Sequence, residues 1–174
     1  MTKLNDPNLK WLLKEALKLE IRGKEFFLKA AELTQNNLGR KMFEHLAKEE
    51  VRHLETFAHL FTEIIGNEDW RKEISSEDLK ENSEVIESLV SRMKGASGKS
   101  DLEALSIGLE LERKAIDHFQ QGVSACSEER TKEIFERIVN EERFHYDLLQ
   151  AQLDSLQNNG FWLDTSEFRM DGKY

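Results

Sequence analysis

Glu20 is followed thirty residues later by Glu50 and, three residues beyond that, by His53. The same set recurs 92 residues further along as Glu112, Glu142 and His145. On a helix, positions i and i+3 point to one side. Glu50 with His53, and Glu142 with His145, can therefore each offer carboxylate oxygens and one ring nitrogen to a single cation. Glu20 and Glu112 then terminate or bridge the pair of cations. Carboxylate-rich ligation with one imidazole per metal suits iron or manganese, whereas a zinc site favours more nitrogen or sulfur. Two dications would also offset the cost of burying four carboxylates. Glu20, Glu50, His53, Glu112, Glu142 and His145 are thus the candidate metal ligands and catalytic residues.

One Glu-x-x-His on a charge-rich helix is ordinarily a solvated pair. Here the motif occurs twice, and each copy is preceded at the same distance by a glutamate set in an apolar stripe. Glu20 lies among Ala16, Leu19, Gly23 and Phe27, and Glu112 among Gly108, Leu111, Ala115 and Phe119. The small residues Ala16, Gly23, Gly108 and Ala115, one turn either side of these glutamates, are expected to leave space for a small molecule. Glu49 and Glu141 sit about 100° round the helix from the adjacent ligands and read as outer or solvated groups. Glu110 reads as surface. His45, His59 and His118 have no partner at a repeated spacing. Cys126 falls at a helix end and reads as a small filler.

Long helices must carry these residues. Asp6-Pro7 is a helix-start signal, and Leu9, Leu12, Leu13, Ala16, Leu19, Gly23, Phe26, Phe27, Ala30 and Leu33 follow at three- and four-residue steps. The pattern predicts helices over about 7–36, 40–65, 101–125 and 128–156. Asn36–Gly39 and Gly66-Asn67 serve as breaks, and Ser100 or Asp101 as a cap. The 67–100 link is expected to hold a short crossover helix. Helix pair, long crossover, helix pair is the order of an all-α, ferritin-like antiparallel four-helix bundle, placed at 1–156. Shifting by 92 residues also lays Phe27 over Phe119, Phe43-Glu44 over Phe135-Glu136 and Leu46 over Ile138. Two hairpins of one design about a pseudo-two-fold axis would bring the ligand sets face to face. The tail, 157–174, carries Phe161, Trp162, Phe168 and Met170 and is expected to dock on the bundle or on a partner subunit.

Composition narrows the partners. A net charge of −9 argues against nucleic acid or an anionic membrane. No stretch approaches the ~20 apolar residues of a membrane span. The N-terminus alternates charges without a signal-like apolar run, so a cytoplasmic location is expected. The one cysteine excludes an intrachain disulfide and a four-cysteine metal site.

At Glu49-Glu50-Val51-Arg52-His53 and Glu141-Glu142-Arg143-Phe144-His145 the chain resembles the rubrerythrin family of the ferritin-like superfamily, over about residues 7–156. The resemblance implies a non-haem centre of two iron ions, with manganese or zinc as alternatives. It also implies reduction of hydrogen peroxide or dioxygen, and a homodimer. Three departures are visible. The single cysteine cannot supply a rubredoxin domain, so electrons are expected from an external donor such as rubredoxin. The extra glutamate that rubrerythrin carries three residues after the first ligand of its third helix is Ala115 here. Tyrosines near the family's centre correspond to Phe27 and Phe119. Iron handling by ferroxidation, or a metal that only clamps a structural or regulatory bundle, are the alternatives to an oxidoreductase.

Overall fold

The computed structural model describes residues 7–66, 69–95 and 99–164. Five α-helices account for nearly all of them: α1 (Pro7–Leu33), α2 (Asn37–Ile65), α3 (Ser76–Gly95), α4 (Ser100–Ala125) and α5 (Glu129–Asn159), with one 3₁₀ turn at Trp70–Glu73. α1 packs along α2 and α4 along α5, the two hairpins meet chiefly through α1 and α4, and α3 lies across α1 and α4. The backbones of α2 and α5 approach each other far less closely. What joins that face is side-chain chemistry.

Local signals set the helix ends, in places differently from expectation. The α1–α2 break lies at 34–36 rather than at 36–39. Asn36 is the cap of α2, its Oδ1 accepting from the Leu38 and Gly39 N–H groups at 2.8 and 3.2 Å, so Asn37 to Gly39 form a first turn. α3 is a full 20-residue helix, not a short one. Ser75 and Asp78 open it reciprocally: the Asp78 N–H donates to Ser75 Oγ (3.1 Å) and the Ser75 N–H to Asp78 Oδ2 (2.8 Å). α4 starts after Lys99 without a side-chain cap, so neither Ser100 nor Asp101 plays that part. Glu128 caps α5. Gly66 and Gly160 end α2 and α5 in the left-handed region, at φ 74° and 73°. Asp6, Asn67, Phe168 and Met170 lie outside the described residues.

The core is divided in two. At one end Phe26, Phe27, Phe43, Leu46, Leu105 and Leu149 pack together. At the other, Leu13, Leu17, Phe57, Phe119, Phe135 and Ile138 do so. Fully buried phenylalanines and leucines contribute ~1.5–3 kcal/mol each, and these two apolar masses offset what lies between them. On every long helix the polar residues of the 92-residue repeat fall at the junction. α3 is fixed over α1 by a polar seam in which Arg22 donates to Asn82 Oδ1 (2.8 Å) and Asn82 Nδ2 to the Lys18 carbonyl (3.0 Å).

The described part of the tail docks on its own chain. Trp162 is buried, edge-on to Phe43 at 5.9 Å, over the Gly39 Cα where any Cβ would come within 2.7 Å of the indole. The Leu163 N–H donates to Gln152 Oε1 and Gln152 Nε2 returns a bond to the Leu163 carbonyl, both at 2.9 Å. Trp162→Ala is expected to cost about 3–5 kcal/mol in urea unfolding. A loss below about 1 kcal/mol would mean that the indole packs elsewhere in solution.

Candidate metal centre

Six side chains fill the layer between the two core halves, and all are at most 4% exposed: Glu20 from α1, Glu50 and His53 from α2, Glu112 from α4, Glu142 and His145 from α5. They form two overlapping groups in which one possible ligand atom per residue lies within 4.8 Å of every other. Glu20, Glu50, His53 and Glu142 make one group; Glu50, Glu112, Glu142 and His145 make the second. Glu50 and Glu142 belong to both groups, Glu20 and Glu112 to one each. The structure thus brings together all six residues singled out in the sequence and puts the second-helix glutamates at the shared positions.

The imidazoles stack with ring centroids 5.6 Å apart, and each turns Nδ1 inward. Glu142 meets both, its Oε1 3.0 Å from His53 Nδ1 and its Oε2 2.9 Å from His145 Nδ1. Glu20 and Glu112 stand farther off, at 3.7 Å from His53 and His145 respectively. Both oxygens of Glu20, Oε1 of Glu50 and Oε1 of Glu112 are buried without any hydrogen-bond partner. Buried carboxylate oxygens are normally satisfied, so these oxygens mark a layer suited to cations. Four carboxylates balance two dications in charge, and an oxygen-rich set with one imidazole at each position fits iron or manganese.

Electrostatics agree. Burial, reinforced by Glu50 and Glu142, pushes the Glu20 carboxyl well up. Burial, then Glu142 and Glu50, does the same for Glu112. Burial and Glu142 raise Glu50. Burial would raise Glu142 too, but the hydrogen bonds to His145 and His53 outweigh it and hold that carboxyl far down. Burial disfavours the charged form of His145, yet Glu142 and Glu50 overcome it and raise the ring from its ordinary 6.5 to about 9. The layer on its own therefore holds protons, and any cation binding there would displace them.

A pH dependence follows for metal-free protein. His145 binds its proton more tightly folded than unfolded, so its stabilisation is complete below 6.5 and lost as pH rises through about 9. Glu20 and Glu112 are raised and act in the same direction. Glu142 is depressed, so its contribution is present above the ordinary glutamate range and lost only on acidification. The thermal midpoint of apoprotein should fall between about pH 6 and about pH 9, and a midpoint that climbs across that window would contradict this charge assignment.

Of the two readings the sequence left for Glu141, the outer group that supports a ligand is the one found, while the space expected at the small residues is filled. Glu141 accepts from His53 Nε2–H at 2.7 Å, and its place next to Glu142 is the sequence feature that points to this. Gly23 does not leave space for a small molecule. A Cβ there would lie 2.5 Å from Glu50 Oε2, so the glycine is filled by that carboxylate, and the space at Gly108 is taken by Phe27 and Leu149. The residues read as ordinary remain so. Glu110 pairs with Arg92 at the surface, and His118 bonds the Leu12 carbonyl and stands edge-on to Trp11. Cys126 is the half-buried C-cap of α4. Phe27 and Phe119 are core.

A ferritin-like helical bundle with a buried carboxylate and imidazole layer is the class that fold and site define. The rubrerythrin family model matches residues 12–153, and the chain belongs to that family. Comparison with curated proteins and with solved structures gives no match. Among the described residues, no helix is long and apolar enough to cross a membrane.

Proposed function

We propose that this chain is a non-haem di-iron oxidoreductase that reduces hydrogen peroxide or dioxygen with electrons from an external donor such as rubredoxin. The observation that carries the reading is the set of buried, partnerless oxygens of Glu20, Glu50 and Glu112 within two ligand groups that overlap at Glu50 and Glu142. Glu20 and His53 would hold one metal, Glu112 and His145 the other, and Glu50 and Glu142 would contribute to both. When bound, a ferrous pair would supply two electrons, enough to cleave the O–O bond of peroxide, while dioxygen would draw two more from the donor; that chemistry belongs to the metal rather than to the side chains. The chain supplies geometry and charge. Glu142 fixes both imidazoles, and the phenylalanine-rich halves on either side exclude bulk water. Phe27 and Phe119 add no hydroxyl to the layer. Membership of the rubrerythrin family supports the redox reading over a structural clamp.

The test is an optical titration of anaerobically iron-loaded protein. Near-ultraviolet absorption of ferric iron should appear with stoichiometric peroxide and be bleached by reduced rubredoxin. Bound metal whose spectrum ignores peroxide would favour the clamp, and a multi-subunit cage taking up iron beyond two per chain would favour iron handling. A dimer working in the cytoplasm belongs to the same proposal, and sedimentation equilibrium checks its size.

A further inference from the structure

The two halves of the layer share a sequence pattern but not their surroundings. An imidazole that binds metal through one nitrogen is fixed, and made more basic, when its other N–H is donated to a carboxylate. His53 has that support: its Nε2 lies 2.7 Å from Glu141 Oε2, and Arg52 reaches across from α2 to the same oxygen at 3.1 Å. The counterpart of Glu141 in the first half is Glu49, which the repeat would place behind His145. Instead Glu49 turns to Arg52, one turn along its own helix. Among the described residues, the carboxylates within ion-pair reach of His145 all approach it through Nδ1.

The cause is legible in the repeat. The residue 92 positions after Arg52 is Phe144, which cannot gather carboxylates. Arg52 therefore holds Glu49 and Glu141 together, with Glu141 against His53 Nε2, and position 144 of α5 offers no matching cation. On the His145 side a cavity of about 310 Å³ opens between α2 and α5, lined by Glu49, Arg137, Asn140, Glu141, Phe144 and His145. This is the face where the two backbones stand apart. His145 forms part of its wall while itself only 2% exposed.

We infer that the two metal positions are inequivalent by construction: the one at His53 is held fast through Glu141, and the one at His145 exchanges its divalent cation through the cavity beside it. The inference rests on the reading of the six side chains as ligands, and makes Glu141 a positioning residue that acts through His53.

The test uses cobalt(II) on the whole chain under anaerobic conditions, with release to a chelator and proton resonances of the imidazole N–H groups as readouts. Wild type should give up one equivalent at least about tenfold faster than the other and show one N–H protected from solvent exchange. Glu141→Ala should speed release of the slow equivalent by about 10- to 100-fold and abolish the protected resonance. Glu141→Gln, whose amide oxygen still accepts from Nε2–H, should restore most of both. Glu49→Ala should change neither. Both glutamates are partly exposed, at 26% and 28%, so their truncation spares the fold. Equal effects of Glu49→Ala and Glu141→Ala, or two equivalents leaving in one phase, would overturn the inference while leaving the ligand set intact. A wild-type chain that takes up no cobalt would overturn both.

Discussion

Glu142→Ala should abolish binding of both metals, whereas Glu20→Ala should abolish one. The difference comes from position. Glu142 belongs to both overlapping groups and meets both imidazoles, at 3.0 and 2.9 Å, while Glu20 belongs to a single group. The same change should also destabilise the apoprotein. Burial would strip His53 and His145 of their charge, but the Glu141, Glu142 and Glu20 contacts of the first and the Glu142 and Glu50 contacts of the second keep both rings protonated at neutral pH. Removing one partner from a buried charged group costs about 3–5 kcal/mol. Metal counting by atomic emission and urea unfolding at neutral pH measure the two effects separately. Retention of one full equivalent in Glu142→Ala would show that the carboxylate is not shared.

Gly23→Ala should lose metal without losing stability, the reverse of what a helix-propensity argument would favour. Alanine is better than glycine in a helix interior by ~1 kcal/mol, so the apoprotein should be at least as stable as wild type. Yet the new Cβ would stand 2.5 Å from Glu50 Oε2 and 3.1 Å from its Cδ. The carboxylate is the movable partner in that clash, and swinging it away withdraws one of the two shared ligands. At most one equivalent should remain bound. Two equivalents at unchanged affinity would mean that Glu50 sits elsewhere when metal is present.

Much of this is legible in the sequence. Each glutamate and histidine of the site recurs after 92 residues in an apolar context, so helical periodicity alone places all six at one level of a bundle. The stop at Gly66 is equally plain, because a glycine cap depends on a few adjacent residues, whereas the cap expected at Ser100 or Asp101 is not formed. What escaped depends on neighbours distant in sequence. The small residues around Glu20 suggested empty space, but which side chain fills the gap at Gly23 is decided by α2. The unequal treatment of Glu49 and Glu141 depends on where Arg52 can reach between two separated helices. The tail showed apolar residues without a period, and only Gly39, bare of a Cβ beneath Trp162, reveals where the indole lies.

The most direct measurement is anomalous diffraction from crystals of iron-loaded protein grown without oxygen. The account requires two peaks within the layer, one against His53 Nδ1 and one against His145 Nδ1, with Glu50 and Glu142 reaching both. Peaks confined to the surface, or a single ion in the layer, would contradict it.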